Sequence, residues 1–387
     1  MAKRTATLLA ATALFSGTWA QYNASSFPKP GSMYSVAQCA ANAGICLPGQ
    51  WPTPDRVPAV VPEWVASINL TGLASATIRP ASMQFSVACD PTLIDYYGAN
   101  GVCDFTCVGC TRAGNPSVGG EYTTCPTKGD WATTYDDGSS NNTVPVLDHL
   151  KSLGVHATFF VIGSRVLQRP DILLRTYNEG HQICLHTWAH AAPTAMTNEQ
   201  IVTDTYWTAK AVYQVLGIVP TCTRTPYGDQ DDRTRSVYKA MGLRMMGWNR
   251  DTSDWKSNNP ALNFTPSWII GNVSQWVAAA PNLTTGIISL EHDLYTVTAA
   301  YALPAQDLIT QAGFKIKTVA DCLSYTNMYQ SITNPTGTNM NLTSLSMYSD
   351  GGVLKVGTSA TSGVNPGAVL GLATLLICIG INLLFFI

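Results

Sequence analysis

The chain has 387 residues, of which 46% are apolar and 12% charged, with 31 Gly and 22 Pro. It is too apolar for a disordered chain and too interrupted for a coiled coil, so a loop-rich globular protein is expected. The formal net charge of −2 argues against a nucleic-acid or polyphosphate partner and favours an uncharged substrate.

Residues 1–20 have the layout of a secretory signal: Lys3 and Arg4, an apolar run from Thr7 to Phe15, then small residues ending at Ala20. The mature chain is expected to begin at Gln21. Over residues 21–124, Pro28, Pro30, Pro48, Pro52, Pro54, Pro58 and Pro62 break helices. Cys39, Cys46, Cys89, Cys103, Cys107 and Cys110 are available there as disulfide staples. The Cys103, Cys107, Cys110 run lacks a fourth ligand at zinc-finger spacing, so disulfides are favoured over a metal.

From residue 129 the texture changes to short apolar runs alternating with helical spacing, the pattern of repeated βα units. Strands are predicted at 131–135, 157–161, 182–185, 221–224, 244–248 and 287–291. Helices are predicted at 144–153, 165–178, 198–216, 232–241, 266–280 and 304–312. A domain of this length suits a barrel-like or doubly wound α/β fold.

Residues 324–367 are rich in Ser, Thr, Asn and Gly and read as a stalk. The uncharged stretch 368–387 has no basic stop and follows a small, polar run. It reads as a glycosylphosphatidylinositol signal rather than a retained helix, with Ser359, Ala360 and Ser362 as tolerable anchor sites. Removal of that tail would take Cys378 with it and leave ten of the 11 Cys, an even number. Asn-x-Ser/Thr triplets begin at Asn23, Asn69, Asn141, Asn263, Asn272, Asn282 and Asn341, consistent with a glycosylated surface.

The chemistry-bearing residues form five polar clusters just after predicted strands, where parallel α/β folds assemble their sites. Thr134 to Gly138 contains the adjacent acids Asp136 and Asp137, whose repulsion points to a cation or to divided roles. An acidic surface turn is the alternative. His186 and His190 are four residues apart, a spacing that on a helical turn aims both rings the same way. With Asp137 they supply two nitrogens and one oxygen for a divalent metal. Arg224 to Gly228 is a tight turn able to aim a backbone N–H at an oxyanion, or a plain surface turn. Asp251 to Trp255 offers acids beside Trp248 and Trp255, or a helix cap. Leu290 to Asp293 carries His292 at a strand end, a position often held by structural histidines.

Taken in order, Thr134 to Gly138, His186 to His190, Arg224 to Tyr227, Asp251 to Trp255 and Leu290 to Asp293 resemble the five motifs of the NodB-homology polysaccharide deacetylases, carbohydrate esterase family 4. Among these, fungal chitin deacetylases anchored by glycosylphosphatidylinositol are the nearest in layout. The resemblance covers residues 125–323 and implies an α/β fold, a distorted (β/α) barrel, here with a disulfide-stapled N-terminal extension. It implies metal-dependent removal of N-acetyl groups from chitin or chitin oligomers, giving chitosan and acetate at the cell wall, by a secreted, membrane-anchored monomer. Asp137, His186 and His190 would hold one divalent ion, zinc or alternatively cobalt. Asp136 would be the base that takes a proton from the attacking water. The Tyr227 backbone N–H would stabilise the oxyanion, and His292 would protonate the departing amine. Arg224 would orient Asp136, Asp254 would raise the pKa of His292, and Trp248, Trp255 and Leu290 would line the slot for the acetyl methyl.

Two positions depart from the family pattern. Ser139 stands where Pro is common and opens a polar run with a glycosylation triplet at Asn141, near the expected cleft. Tyr135 replaces the more usual Phe. The resemblance also sets Cys125 and Cys322 at the two ends of the domain, where a bridge would tie them together, and leaves a second bridge between Cys184 and Cys222 open. An esterase acting on O-acetylated xylan and a catalytically inert wall-binding protein are the competing readings.

Overall fold

The computed structural model describes residues 51–89, 91–113 and 119–330, with the strands at 345–350 and 353–358. The expected leader, Asn23, Cys39, Cys46, Asn341, the anchor sites, Cys378 and the apolar tail lie outside the described residues. Among those described, no helix is long and apolar enough to cross a membrane.

Strands β1 (Asp130–Asp136), β2 (Thr158–Val161) and β3 (Gln182–Leu185) are followed by β4 (Val219–Pro220), β5 (Cys222–Thr223), β6 (Arg244–Met245), β7 (Arg250–Asp251), β8 (Ile287–His292) and β9 (Lys315–Lys317). Eight of these form one sheet in the order β6-β5-β3-β2-β1-β8-β7, with β9 paired to the start of β1. Every pairing in this sheet is parallel. The two edge strands, β6 and β7, are joined only by residues 246–249, which span at most about 15 Å. The sheet must therefore curl until its edges meet, which makes it the distorted barrel that the family resemblance implies rather than the doubly wound alternative. Tyr122 stands in the seam: its N–H donates to the Met245 carbonyl and its own carbonyl accepts from Gly247 N, at 3.0 and 2.8 Å.

β1 shows how alternation builds the two layers. All seven of its residues are buried, as expected for a parallel strand covered on both faces. Trp131 faces outward and packs with Val273, Ile287, Ala305 and Ile309. Tyr135 also faces outward and accepts a hydrogen bond from Gln306 Nε2 at 2.6 Å, so the phenol in place of Phe has a partner. Ala132 faces inward with Phe160, Cys184, Cys222, Met246 and Ile288, and Thr134 and Asp136 continue that face upward. Helix Val319–Leu323 plugs the bottom, donating from Val319 N to Thr158 Oγ1 and from Ala320 N to Gln182 Oε1.

The helices follow the predicted spacing with two differences. The stretch at 165–178 is two helices, Gly163–Gln168 and Pro170–Asn178. Pro170 disfavours helical backbone at Arg169, which adopts φ −134° and ψ 60°. The helix predicted at 304–312 begins earlier, as Thr296–Gln311, with Pro304 inside it. The strand predicted at 244–248 is only β6, because Met246 and Gly247 belong to the seam. Beyond the domain end placed at residue 323, β10 (Tyr329–Gln330) pairs with β4, and Tyr329 Oη accepts from Ile183 N. Within the segment read as a stalk, β11 (Leu345–Asp350) and β12 (Val353–Thr358) pair antiparallel.

Disulfides link Cys89 to Cys107 and Cys103 to Cys110 in the extension, and Cys125 to Cys322 and Cys184 to Cys222 in the barrel. Trp51 of the extension stacks on Trp188, with ring centroids 5.8 Å apart, and both rings are fully buried beside Trp207. Asn69, Asn141, Asn263 and Asn282 are exposed, whereas the Asn272 side-chain amide donates to the Thr252 carbonyl at 3.0 Å.

The Cys125–Cys322 bridge closes a loop with a sequence separation of 197 residues. Replacing both cysteines with Ser is expected to lower the unfolding free energy by about 2–5 kcal/mol. Denaturant melts of the purified protein and the double variant measure that difference.

Candidate active site

Because the strands are parallel, their C-terminal ends share one rim, and four of the five clusters leave from it directly. Asp136 ends β1, His186 follows β3, Arg224 follows β5, and His292 ends β8. The fifth, Asp251 to Trp255, leaves from β7, a two-residue strand beyond the predicted one. Asp136 and His292 are register partners on neighbouring strands. Asp137, His190, Tyr227 and Ser253 take positive φ, between 55° and 79°, so these turns bend sharply where the chain leaves the sheet.

Arg224 is fully buried within the barrel. Its Nη1 donates to Asp136 Oδ1 at 2.8 Å and to Thr134 Oγ1 at 2.7 Å. Its Nε and Nη2 donate to the carbonyls of Met246 and Gly247 at 3.1 and 2.9 Å. The guanidinium lies over Phe160, 4.0 Å from the ring centroid, and within reach of Trp248. Burial lowers its pKa, while Asp136 opposes that shift. The remaining Asp136 oxygen, Oδ2, faces His186 Nε2 at 3.9 Å.

Asp137, His186 and His190 form the one group of potential metal-ligating side chains found among the described residues, with one ligand atom from each lying within 4.8 Å of the others. Asp137 Oδ1 lies 3.3 Å from His186 Nε2 and 3.2 Å from His190 Nε2. That oxygen is buried and has no hydrogen-bond partner. His186 Nδ1 lies 2.9 Å from the Arg224 carbonyl, an acceptor that fixes the ring so Nε2 turns to the cluster with its lone pair. Two imidazole nitrogens and an orphaned carboxylate oxygen are a donor set that a zinc-like divalent ion takes. Burial would raise the Asp137 pKa, but the charge of His190 overrides it and holds the carboxyl well below its usual range.

On the adjacent strand β8, His292 Nδ1 lies 2.7 Å from Asp254 Oδ1, and the His292 backbone N–H donates to Asp254 Oδ2 at 2.8 Å. Burial disfavours the imidazolium, but Asp254, with smaller contributions from Asp137 and Asp136, lifts the His292 pKa to about 10. Tyr227 is 44% exposed, and its ring meets His190 edge-on at 4.6 Å. Trp255 is 44% exposed and Leu290 is buried. Trp248 packs edge-on against Phe105 at 5.5 Å, so one candidate wall residue is backed by the extension.

Several supporting residues escaped the sequence reading. Asp204, in helix Asn198–Leu216, accepts from Trp188 N at 2.5 Å and so holds the loop between the two histidines; burial lifts its pKa to about 7. Asp293 accepts from Thr143 Oγ1 at 2.5 Å and fills the space a side chain at Gly138 would need, with Oδ2 only 2.7 Å from such a Cβ. Its position in the fifth cluster was the only signal in the sequence. Burial also lifts the Glu291 carboxyl to about 8. Ser139 is buried and Asn141 exposed, so the run replacing the common Pro turns outward after one residue.

Residues 123–246 match the polysaccharide deacetylase family model. Chitin deacetylase 1 of Cryptococcus neoformans is 35% identical over 285 residues, covering 70% of this chain and 57% of the relative. Chitin deacetylase of Amylomyces rouxii is 32% identical over 230 residues, covering 59% of this chain and 54% of the relative. The chain thus spans just over half the length of these curated relatives. The solved chitin deacetylase of Colletotrichum lindemuthianum is 26% identical, with a TM-score of 0.49, covering 55% of this chain and 96% of that one.

Asp254→Asn is expected to bring the His292 pKa down from about 10 toward the ordinary imidazole range near 6.5. Because the folded-state value is the raised one, the stabilisation from Asp254 is complete below the unfolded value. It is lost as pH rises through about 10. Side-chain NMR titration of His292 in both proteins checks the shift.

Proposed function

We propose that this chain, which carries a polysaccharide deacetylase domain over residues 123–246, hydrolyses the N-acetyl groups of chitin or chitin oligomers, giving chitosan and acetate. The observation that carries this reading is the division of the rim: Asp136 anchored on Arg224, the Asp137–His186–His190 cluster beside it, and His292 anchored on Asp254 on the neighbouring strand. A divalent ion held by Asp137, His186 and His190, zinc in our reading with cobalt as the alternative, would supply Lewis acidity to polarise the acetyl carbonyl and acidify water.

In this reading Asp136 is the general base. Its Oδ1 is occupied by the Arg224 guanidinium, which fixes the orientation of the carboxylate and leaves Oδ2 to take a proton from the attacking water. The Tyr227 backbone N–H, in the turn Pro226–Gly228, faces the developing oxyanion. As the C–N bond breaks, the amine must leave protonated. The His292 imidazolium donates that proton, and Asp254 keeps it available at neutral pH. Leu290, Trp248 and Trp255 line the slot for the acetyl methyl. An alkoxide leaving from an O-acetylated xylan needs a charged acid less than an amine does, so the Asp254–His292 pair favours the amide reading. An inert wall-binding role is disfavoured because every member of both catalytic pairs and of the metal cluster is present.

We place the protein outside the cell, at the wall, held through the lipid anchor read from its C-terminal signal and acting as a monomer. The exposed Asn141 would carry a glycan beside the cleft.

The test is acetate release from chitin oligomers by the purified protein after chelation and after return of zinc or cobalt. Release is expected only with metal, and acetylated xylan assayed in parallel is expected to be the poorer substrate. No release from any acetylated glycan with metal demonstrably bound would overturn the catalytic reading.

Asp136→Asn is expected to reduce turnover by at least about 10²-fold while retaining metal. His186→Ala is expected to lose metal and activity together. Metal content by mass spectrometry alongside rates separates the two roles, and equal metal loss in both variants would contradict them.

A further inference from the structure

The N-terminal extension does more than cover the barrel. Arg79 is buried, as are Asp104 and Asp229, and Asp229 lies two residues after Tyr227. Arg79 Nη1 donates to Asp229 Oδ1 at 3.2 Å and Nη2 to Asp104 Oδ2 at 2.8 Å, while Nε donates to Tyr97 Oη at 3.0 Å. Asp229 also accepts from Thr106 Oγ1 of the extension at 2.9 Å and from the N–H and hydroxyl of Thr194 at 2.8 and 2.9 Å.

Thr194 belongs to the segment that follows His190. The extension grips that segment three times more: Arg79 N donates to the Thr194 carbonyl at 2.8 Å, Ala192 N donates to the Gln84 carbonyl at 2.7 Å, and Gln84 Nε2 donates to the Ala195 carbonyl at 3.2 Å. It also grips the Tyr227 turn, where Phe105 N donates to the Gln230 carbonyl at 2.9 Å. The Phe105 ring lies 2.9 Å from where a side chain at Gly228 would begin. One carboxylate, Asp229, is therefore shared by the extension, the His190 segment and the Tyr227 turn. The His190 and Tyr227 rings that these segments carry are in contact.

We propose that Arg79 and Asp229 are positioning residues through which the extension sets His190 against the Tyr227 turn, so that both metal affinity and the chemical step depend on residues 79–107. The inference rests on reading Asp137, His186 and His190 as metal ligands. Its metal-binding arm is independent of which substrate is cleaved. A guanidinium facing two buried carboxylates is a directional clamp rather than generic packing, because its fixed fork satisfies both partners only in one arrangement.

The experiment uses the full chain and three variants: Arg79→Met, Arg79→Lys and the milder Thr106→Val. Zinc affinity is measured by competition with a chelating dye, and kcat and KM for acetate release are measured separately, at a temperature where each variant keeps a native circular dichroism spectrum. Arg79→Met is expected to weaken zinc binding and lower kcat, each by about tenfold, as loss of an outer support of a metal ligand does, with KM little changed. Arg79→Lys should recover part of both losses, and Thr106→Val should shift both in the same direction by a smaller factor. Wild-type zinc affinity in Arg79→Met, with only the melting temperature lowered, would overturn the proposal and leave the extension a stabilising cover. If Arg79→Met does not fold, the same comparison on Arg79→Lys and Thr106→Val decides. Absence of acetate release from the wild-type protein would count against the deacetylase reading, while the zinc titration would still decide the positioning role.

Discussion

The Arg224 guanidinium is the constraint around which the barrel and its site are arranged. A permanent cation sealed from water is tolerated only if its donors are satisfied. Four contacts do this, reaching β1 through Thr134 and Asp136 and the seam through the Met246 and Gly247 carbonyls. One side chain thus ties the strand at the middle of the sheet to the junction of its two edges. The same contacts determine which Asp136 oxygen is occupied and which is left toward the histidines. The carbonyl of Arg224 orients His186 as well. One buried guanidinium thus braces the seam and orients Asp136, and the backbone carbonyl of the same residue orients one candidate metal ligand.

Parallel pairing does the rest of the assembly. Five clusters spread over more than 150 residues of sequence reach one rim because the strands that carry them run the same way and a helix returns the chain between one cluster and the next. The interior below them is apolar and cross-linked by Cys184–Cys222, so the polar groups at the rim stand on a rigid floor. The outer wall on the side of His190 and Tyr227 is not supplied by the βα units alone. Residues 79–107 hold it through Arg79, Thr106 and Phe105, and Tyr122 completes the seam. The extension and the barrel therefore share one site.

The two acid–base pairs illustrate how environment divides similar groups. Asp136 faces a guanidinium and Asp254 faces an imidazole, and in the mechanism we propose that difference assigns the first carboxylate to accept a proton and the second to support a proton donor. The buried acids Asp204, Asp293 and Glu291 are raised by burial instead; Asp204 and Asp293 brace loops around the rim, while Glu291 accepts from Ser289 within β8.

Much of this was legible in the sequence. Six strands, the order of the polar clusters and the identities of the residues at the rim could be read from residues 129–323, because apolar alternation and turn chemistry are local properties of the chain. The break at Arg169–Pro170 was readable in principle from the proline, and the helix starting at Thr296 rather than 304 was hidden by Pro304 inside it. Tertiary structure alone decided the rest. β7 is two residues long and exists only because β8 lies beside it; Tyr122 pairs with the seam across more than a hundred residues. Asp204, Asp229 and Arg79 look like ordinary surface charges in sequence and become buried supports only when distant segments fold over them. Local patterning sets which residues a strand ends with, but burial and partnership depend on contacts between segments far apart in the chain, and those are specified only when the barrel closes.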